Sequence, residues 1–201
     1  MRYLALPLLA VLSVPQIAAA QQTMREQVLT MGVSEEIVVA EYPALSLNAL
    51  TAAAGAVVHV AVRSQDTFLS SDGLSILTDY RVTVLNAVKP STGSPIDAGD
   101  VITIRRPGGV LSIEGRKVVS NENDFPPFAG GAEYVLFLKT DAGQPFEMLA
   151  GPQSAFRVRD GAATAMGPST RAPSVVQMPI LLHEIRGQVA RGPHTASAPQ
   201  H

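Results

Sequence analysis

The stretch that decides the fold is Gly55-Ala56-Val57-Val58-His59-Val60-Ala61-Val62-Arg63. Just before it, residues 47–54 (LNALTAAA) place their apolar side chains at helical spacing. Leu47 and Leu50 share a face, Ala54 lies one turn on, and Ser46 stands where an N-cap belongs. Gly55 ends that helix, and from there the period drops to two. Val58, Val60 and Val62 share one face of a strand, while Val57, His59, Ala61 and Arg63 share the other. Working outward, Ser71-Asp72-Gly73 is turn chemistry. A longer strand follows over residues 76–88, with Tyr80, Val82, Val84 and Val88 expected on one face and Asn86 interrupting that face. Residues 101–106 (VITIRR) form the next strand, with Ile102 and Ile104 on one side, and Pro107-Gly108-Gly109 break it. Residues 110–113 and 116–119 read as a hairpin around Glu114-Gly115 or as one bulged strand. Residues 133–139 (EYVLFLK) carry large apolar residues on both faces, the mark of a central strand. Residues 146–149 and 153–159 complete the series, and Phe156 is expected to be buried together with Val58, Val60, Val82, Val84, Ile102, Leu136 and Leu138. Six or seven strands separated by Gly, Pro and Asp turns predict a small β-barrel or sandwich.

The flanks differ from this centre. Residues 1–20 begin with Met1-Arg2, continue through an apolar run to Pro15, and end Ala18-Ala19-Ala20, with small residues at the −3 and −1 positions. That is the three-part pattern of a cleavable signal peptide, cut before Gln21. The run is shorter than the roughly 20 apolar residues of a spanning helix and is broken by Pro7 and Pro15. Residues 21–45 form an N-terminal segment, with a short helix expected over 23–31 and a short strand or helix over 36–41. The β domain is expected over 46–165. A Pro/Ser/Gly/Ala-rich linker follows over 166–178. Then comes a helix over 179–190 that opens on Pro179 and carries a Leu182, Ile185, Val189 stripe, and a disordered tail over 191–201.

Composition narrows the function classes. Fifteen basic residues stand against 17 acidic ones, for a net charge of −2, and removal of Arg2 with the leader makes the remainder more acidic by one. Such a chain has no net field to gather nucleic acid or anionic lipid. Aromatic residues are only 5% and Trp is absent, which also argues against the stacked-base mode of nucleic-acid binding. With no Cys there is neither a disulfide nor thiol chemistry, so the leader alone points to the compartment, periplasmic or secreted. The mature chain has no second long apolar stretch and is expected to hold no transmembrane segment.

Chemistry-bearing residues are sparse. The four histidines, His59, His183, His194 and His201, are scattered, and His183-Glu184 lacks the second His that zincin spacing requires. Neither a metal nor a cofactor is expected. Gly151-Pro152-Gln153-Ser154-Ala155 does not make a nucleophile elbow, and Ser94 and Ser120 have no neighbour to activate them. Asp79, Glu114, Asp124 and Glu133 could supply a carboxylate pair. Glu133, at the start of the most apolar strand, is either a general acid or a carboxylate held by the Gly130-Gly131 loop or by an Arg. The basic residues Arg105, Arg106, Arg116 and Lys117 flank Pro107-Gly108-Gly109. If residues 101–106 and 116–119 pair, these charges gather near one loop and suit an anionic ligand or acidic partner; otherwise they form a solvated rim.

In order, the units AVVHVAV (56–62), TDYRVTVLNAVK (78–89), AGDVITIRRPGG (98–109), FAGGAEYVLFL (128–138) and LAGPQSAFRV (149–158) resemble an uncharacterised family of exported bacterial proteins. The resemblance spans about residues 46–160 and brings no activity with it. The strand order is also similar to that of OB-like barrels, and within them to the netrin-like domains that include tissue inhibitors of metalloproteinases. It implies a mainly β protein built on a small OB-like closed or partly open β-barrel with short flanking helices. Those inhibitors depend on disulfides and an amino-terminal Cys, so their metal-chelating mechanism is out of reach for a chain without cysteine. The expectation is an exported, non-catalytic binding module for a protein or envelope partner. The alternatives are a hydrolase-like enzyme using a carboxylate pair near Glu133 and a structural envelope component held by the C-terminal helix.

Overall fold

A computed structural model of the chain describes residues 22–32, 35–38, 42, 44–91, 93, 95–122, 125–140, 145–167 and 175–192. The leader at 1–20, the tail beyond 192, Ser94 and Asp124 lie outside the described residues. In chain order the elements are α1 (Met24–Met31), β1 (Glu35–Val38), α2 (Leu47–Ala53), β2 (Ala56–Leu69), β3 (Ile76–Lys89), β4 (Val101–Pro107), β5 (Gly109–Ile113), β6 (Arg116–Glu122), β7 (Glu133–Lys139), β8 (Phe146–Met148), β9 (Ala155–Arg159), β10 (Ala162–Ala165), β11 (Val175–Gln177) and α3 (Met178–Arg191).

The protein is mainly β. Strands β7, β2, β3, β4 and β8 are hydrogen-bonded in that order, and β8 pairs back onto β7, so five strands close a barrel. β4 and β8 run parallel and the other pairs in the ring are antiparallel. The alternation read in residues 57–62 sets the inside and the outside. Val58, Val60 and Val62 fill the bore with Tyr80, Val82, Val84, Ile102, Ile104, Leu136 and Leu138. On the outside, Val57, Val135 and Phe137 meet Leu47 and Leu50 of α2, and Met178, Leu181 and Ile185 of α3, in a second core. β7 is therefore buried on both faces, as its apolar sequence predicts. Strands β9, β10 and β11 extend the sheet beyond β7.

Several expectations are corrected. Phe156 does not share the bore. It pairs with Val135 across β9 and β7, so it stands on the outer face against Phe137, with ring centroids 6.0 Å apart. Val88 also leaves the bore side. Val84 pairs with Val60 but Asn86 pairs with His59, and the extra residue between them, Leu85, inverts the alternation. Asn86 thus joins His59 on the outer side and Val88 enters the second core. The helix near the C terminus buries Leu181 and Ile185 with Met178, while Leu182 and Val189 lie at the edge of that contact. Its apolar face lies on this chain's own barrel. β11 falls inside the stretch read as linker, paired antiparallel to β10.

Two local details fix the ends of the barrel. α1 carries a capping box between Thr23 and Glu26 and packs Met24 and Val28 against Ile76, Ile113 and Val118. The β5–β6 hairpin turns through Glu114 at φ 50° and Gly115 at φ 77°, the left-handed pair of a two-residue hairpin turn. β6 pairs with β5 and with β1, not with β4. The condition that would have gathered the four basic residues near one loop is therefore not met.

Candidate functional site

Arg105 and Arg106 are neighbours on β4, so strand alternation sends them to opposite faces. Arg105 turns outward. It makes a bidentate pair with Asp79 at 2.7 and 2.8 Å and lies over the Phe68 ring. The hydrogen bond to Asp79 holds its pKa above the usual guanidinium value. Arg106 continues the Ile102 and Ile104 face and is buried, its side chain 3% exposed. Its guanidinium carbon lies 3.3 Å from the centre of the Phe125 ring and 4.6 Å from that of Phe128. Its terminal nitrogens donate to the carbonyls of Pro126 and Phe125 at 3.0 Å each, and to Glu122 Oε2 at 3.4 Å. Burial pulls its pKa down, opposed by the nearby Tyr80 and Glu122. A guanidinium keeps its proton regardless, so this is a cation stored in the barrel wall.

Glu122 is its counter-ion. Period two along β6 puts Val118, Ser120 and Glu122 on the inward face, and all three are buried. The other oxygen of Glu122 accepts the Tyr42 hydroxyl at 2.5 Å. Burial, then the hydrogen bond and charge of Glu122, push the Tyr42 phenol well above the usual tyrosine value. Arg106, Glu122 and Tyr42 form one polar chain that reaches from the bore to a cleft at the barrel mouth. The cleft measures about 460 Å³ and has Leu77, Phe125, Met148 and Leu149 among its apolar walls. Its rim carries Arg105 and an exposed Lys139–Glu147 pair at 3.3 Å. A second, smaller cavity of about 90 Å³ shares Arg106, Pro107, Glu122 and Phe125 with it.

The other residues singled out in the sequence lie elsewhere. Arg116 sits beside the β5–β6 turn and donates to the Val28 carbonyl at 2.8 Å, which helps close the end of α1. Lys117, next to it, is exposed. Glu133 stands on the outer face at the start of β7 and meets His59 Nε2 at 2.9 Å, so its partner is an imidazole, neither the glycine loop nor an arginine. Asp79 pairs with Arg105 and Glu114 with Arg25, so these three candidate carboxylates are held by three different partners. Among the described residues no group of three or more His, Cys, Asp or Glu side chains converges on a metal-sized space.

Arg105 and Arg106 are thus the two sequence-selected residues that line the cleft. The sequence reading missed Tyr42, Glu122 and Phe125. The parity of Ile102, Ile104 and Arg106 was a signal for a buried arginine, and the parity of Val118, Ser120 and Glu122 was a signal for its partner. No local pattern points to Tyr42, whose place depends on a contact 80 residues away along the chain. Compared with models of known protein families and with curated proteins, the chain matches none.

Proposed function

We propose that this chain is an exported β-barrel module that binds a protein or envelope partner at the cleft of its mouth and catalyses no reaction. The observation that carries the reading is the cleft itself. Its volume of about 460 Å³ is in the range of ligand pockets, and its apolar walls surround a few fixed polar groups. The charged groups around it are engaged in pairs that hold the barrel together, Arg106 with Glu122, Arg105 with Asp79 and Lys139 with Glu147. Such an arrangement orients a ligand. Export rests on the leader pattern in residues 1–20, and N-terminal sequencing of the exported protein should begin at Gln21.

The test is capture. The protein is immobilised and exposed to envelope extract beside a Leu77→Trp variant, which fills the cleft from a residue outside the packed cores. A partner should be retained by the parent chain and lost by the variant while the two melt alike. Equal capture by both would sink the reading. A second reading, a hydrolase-like enzyme near Glu133, draws on the His59–Glu133 contact. It requires a hydrolytic activity that Glu133→Gln abolishes and Leu77→Trp leaves intact.

A further inference from the structure

Tyr42 is held at the cleft on several sides. Its hydroxyl donates to Glu122. Its carbonyl accepts from Gln153 Nε2 at 3.3 Å, while the Leu45 N–H donates to Gln153 Oε1 at 3.0 Å. One glutamine therefore grips the chain at both Tyr42 and Leu45. The phenol ring lies directly on Gly151, where φ is +50° and a Cβ would stand 2.4 Å from two ring carbons. Only glycine lets ring and backbone approach this closely.

The ion pair that Tyr42 joins through Glu122 is incompletely matched at its arginine. Among the described residues, Arg106 Nε is the buried side-chain nitrogen or oxygen left without a hydrogen-bond partner. A buried donor in that condition is costly and calls for an explanation. The phenol supplies Glu122 with a donor but gives Arg106 no acceptor.

We infer that Tyr42 is a stand-in, covering a subsite for the neutral amide group of a peptide partner, and that the partner binds by displacing it. The inference rests on the reading of the chain as a binding module and names the chemistry of its ligand. With the phenol withdrawn, Glu122 Oε1 loses its donor, while Arg106 Nε still lacks an acceptor. An amide offers an N–H and a C=O side by side and answers both. A carboxylate would meet the like charge of Glu122, and an ammonium would meet that of Arg106. The existing ion pair is already balanced, so a neutral ligand adds no unpaired charge to a buried setting. Leu77, Phe125 and Met148 supply an apolar wall for the side chain beside the amide.

The experiment is a calorimetric titration of the purified full chain with three probes: N-acetyl-phenylalaninamide, N-acetyl-phenylalanine as its carboxylate, and phenylalaninamide as its ammonium. The parent chain is compared with Tyr42→Phe, which removes the competing hydroxyl, and with Gln153→Ala, which loosens the grip on the segment. The neutral amide should bind both variants about five- to tenfold more tightly than the parent, the worth of one released hydrogen bond. The two charged probes should bind more weakly throughout, and Leu77→Trp should bind none of the three. If Tyr42→Phe fails to fold, Gln153→Ala carries the comparison. No saturable binding in any variant, equal affinity of the variants and the parent, or a carboxylate that binds as well as the amide would each overturn the inference. Cleft-dependent capture of a partner without amide binding would sink this inference alone. Amide binding without a captured partner would sink the broader reading alone.

Discussion

Arg106 and Glu122 face each other at 3.4 Å with side chains 3% and 2% exposed, a charge pair sealed in the wall between the bore and the cleft. The distance is long for a charge-assisted hydrogen bond. Most of the local hydrogen bonding of Arg106 goes to the Phe125 and Pro126 carbonyls. The pair thus pins residues 125–128 over the barrel mouth as well as neutralising two charges.

Breaking that pair one partner at a time should be severe. Glu122→Ala strands a buried guanidinium and should cost about 3–5 kcal/mol. The double variant Arg106→Met with Glu122→Leu strands no charge and should cost clearly less. Urea unfolding of both gives the comparison. A double variant less stable than the single one would mean that the carbonyl contacts, not the charge, dominate.

Tyr42 should make stability fall at alkaline pH. Its folded pKa lies above the ordinary tyrosine value, which is about 10. The neutral form is therefore favoured by folding. Its contribution is complete below about pH 10 and is lost as the pH rises further and the unfolded chain gives up the proton. The stability difference between the parent and Tyr42→Phe should narrow between pH 8 and pH 11. Tyr80, whose phenol is also raised by burial, is present in both proteins and cancels. A constant difference across that range would refute the assignment.

The two cores should respond separately. Leu136→Ala in the bore and Phe137→Ala in the outer core remove adjacent side chains from opposite faces of β7. They should cost roughly 2–5 and 3–5 kcal/mol respectively. Loss of α3 docking, followed by amide exchange, should accompany Phe137→Ala but not Leu136→Ala. The same pattern for both would mean that the two layers are not independent.

The rotated stripe of α3 is also open to measurement. Ile185→Ala should cost roughly 2–5 kcal/mol, as for a fully buried aliphatic side chain. Leu182→Ala, at the edge of the contact, should cost less than half of that. Thermal melts of the two variants decide it, and equal losses would restore the stripe expected from the sequence.

Alternation made the barrel legible. Residues 57–62 and 101–106 declare their faces and residues 133–139 their burial on both sides, but the closure of the ring depends on the pairing of β8 with both β4 and β7, which alternation does not announce. Alternation fails where the backbone adds a residue, as at Leu85, because a bulge leaves no composition signature when its neighbours are all strand formers. The helix stripe at 182, 185 and 189 was read from three apolar positions, but Met178 and Leu181 shift its centre by one residue. The four basic residues gather only if 101–106 pairs with 116–119; Gly108 instead lets the chain turn at φ +85° into a strand of its own between them, a turn whose direction composition does not announce. Of the cleft, Arg105 and Arg106 were in view. Tyr42 was not, because a lone tyrosine outside the strands becomes informative only when the tertiary contact is known.

The extra residue at Leu85 makes β3 depend on its length as well as its composition. From Tyr80 to Val84 the even-numbered residues face the bore, whereas Asn86 and Val88 face outward, and the added residue at Leu85 inverts the phase between the two stretches. Exchanging one aliphatic side chain for another along residues 76–89 keeps that phase. Deleting Leu85 would keep it as well, because Asn86 would then follow Val84 directly and stay opposite His59 on the outer side; strict alternation with Leu85 in place is what would carry the Asn86 amide into the apolar interior. An added residue between Tyr80 and Val84 would turn the side chains beyond it to the opposite face, so β3 should tolerate the loss of Leu85 better than an insertion within that stretch.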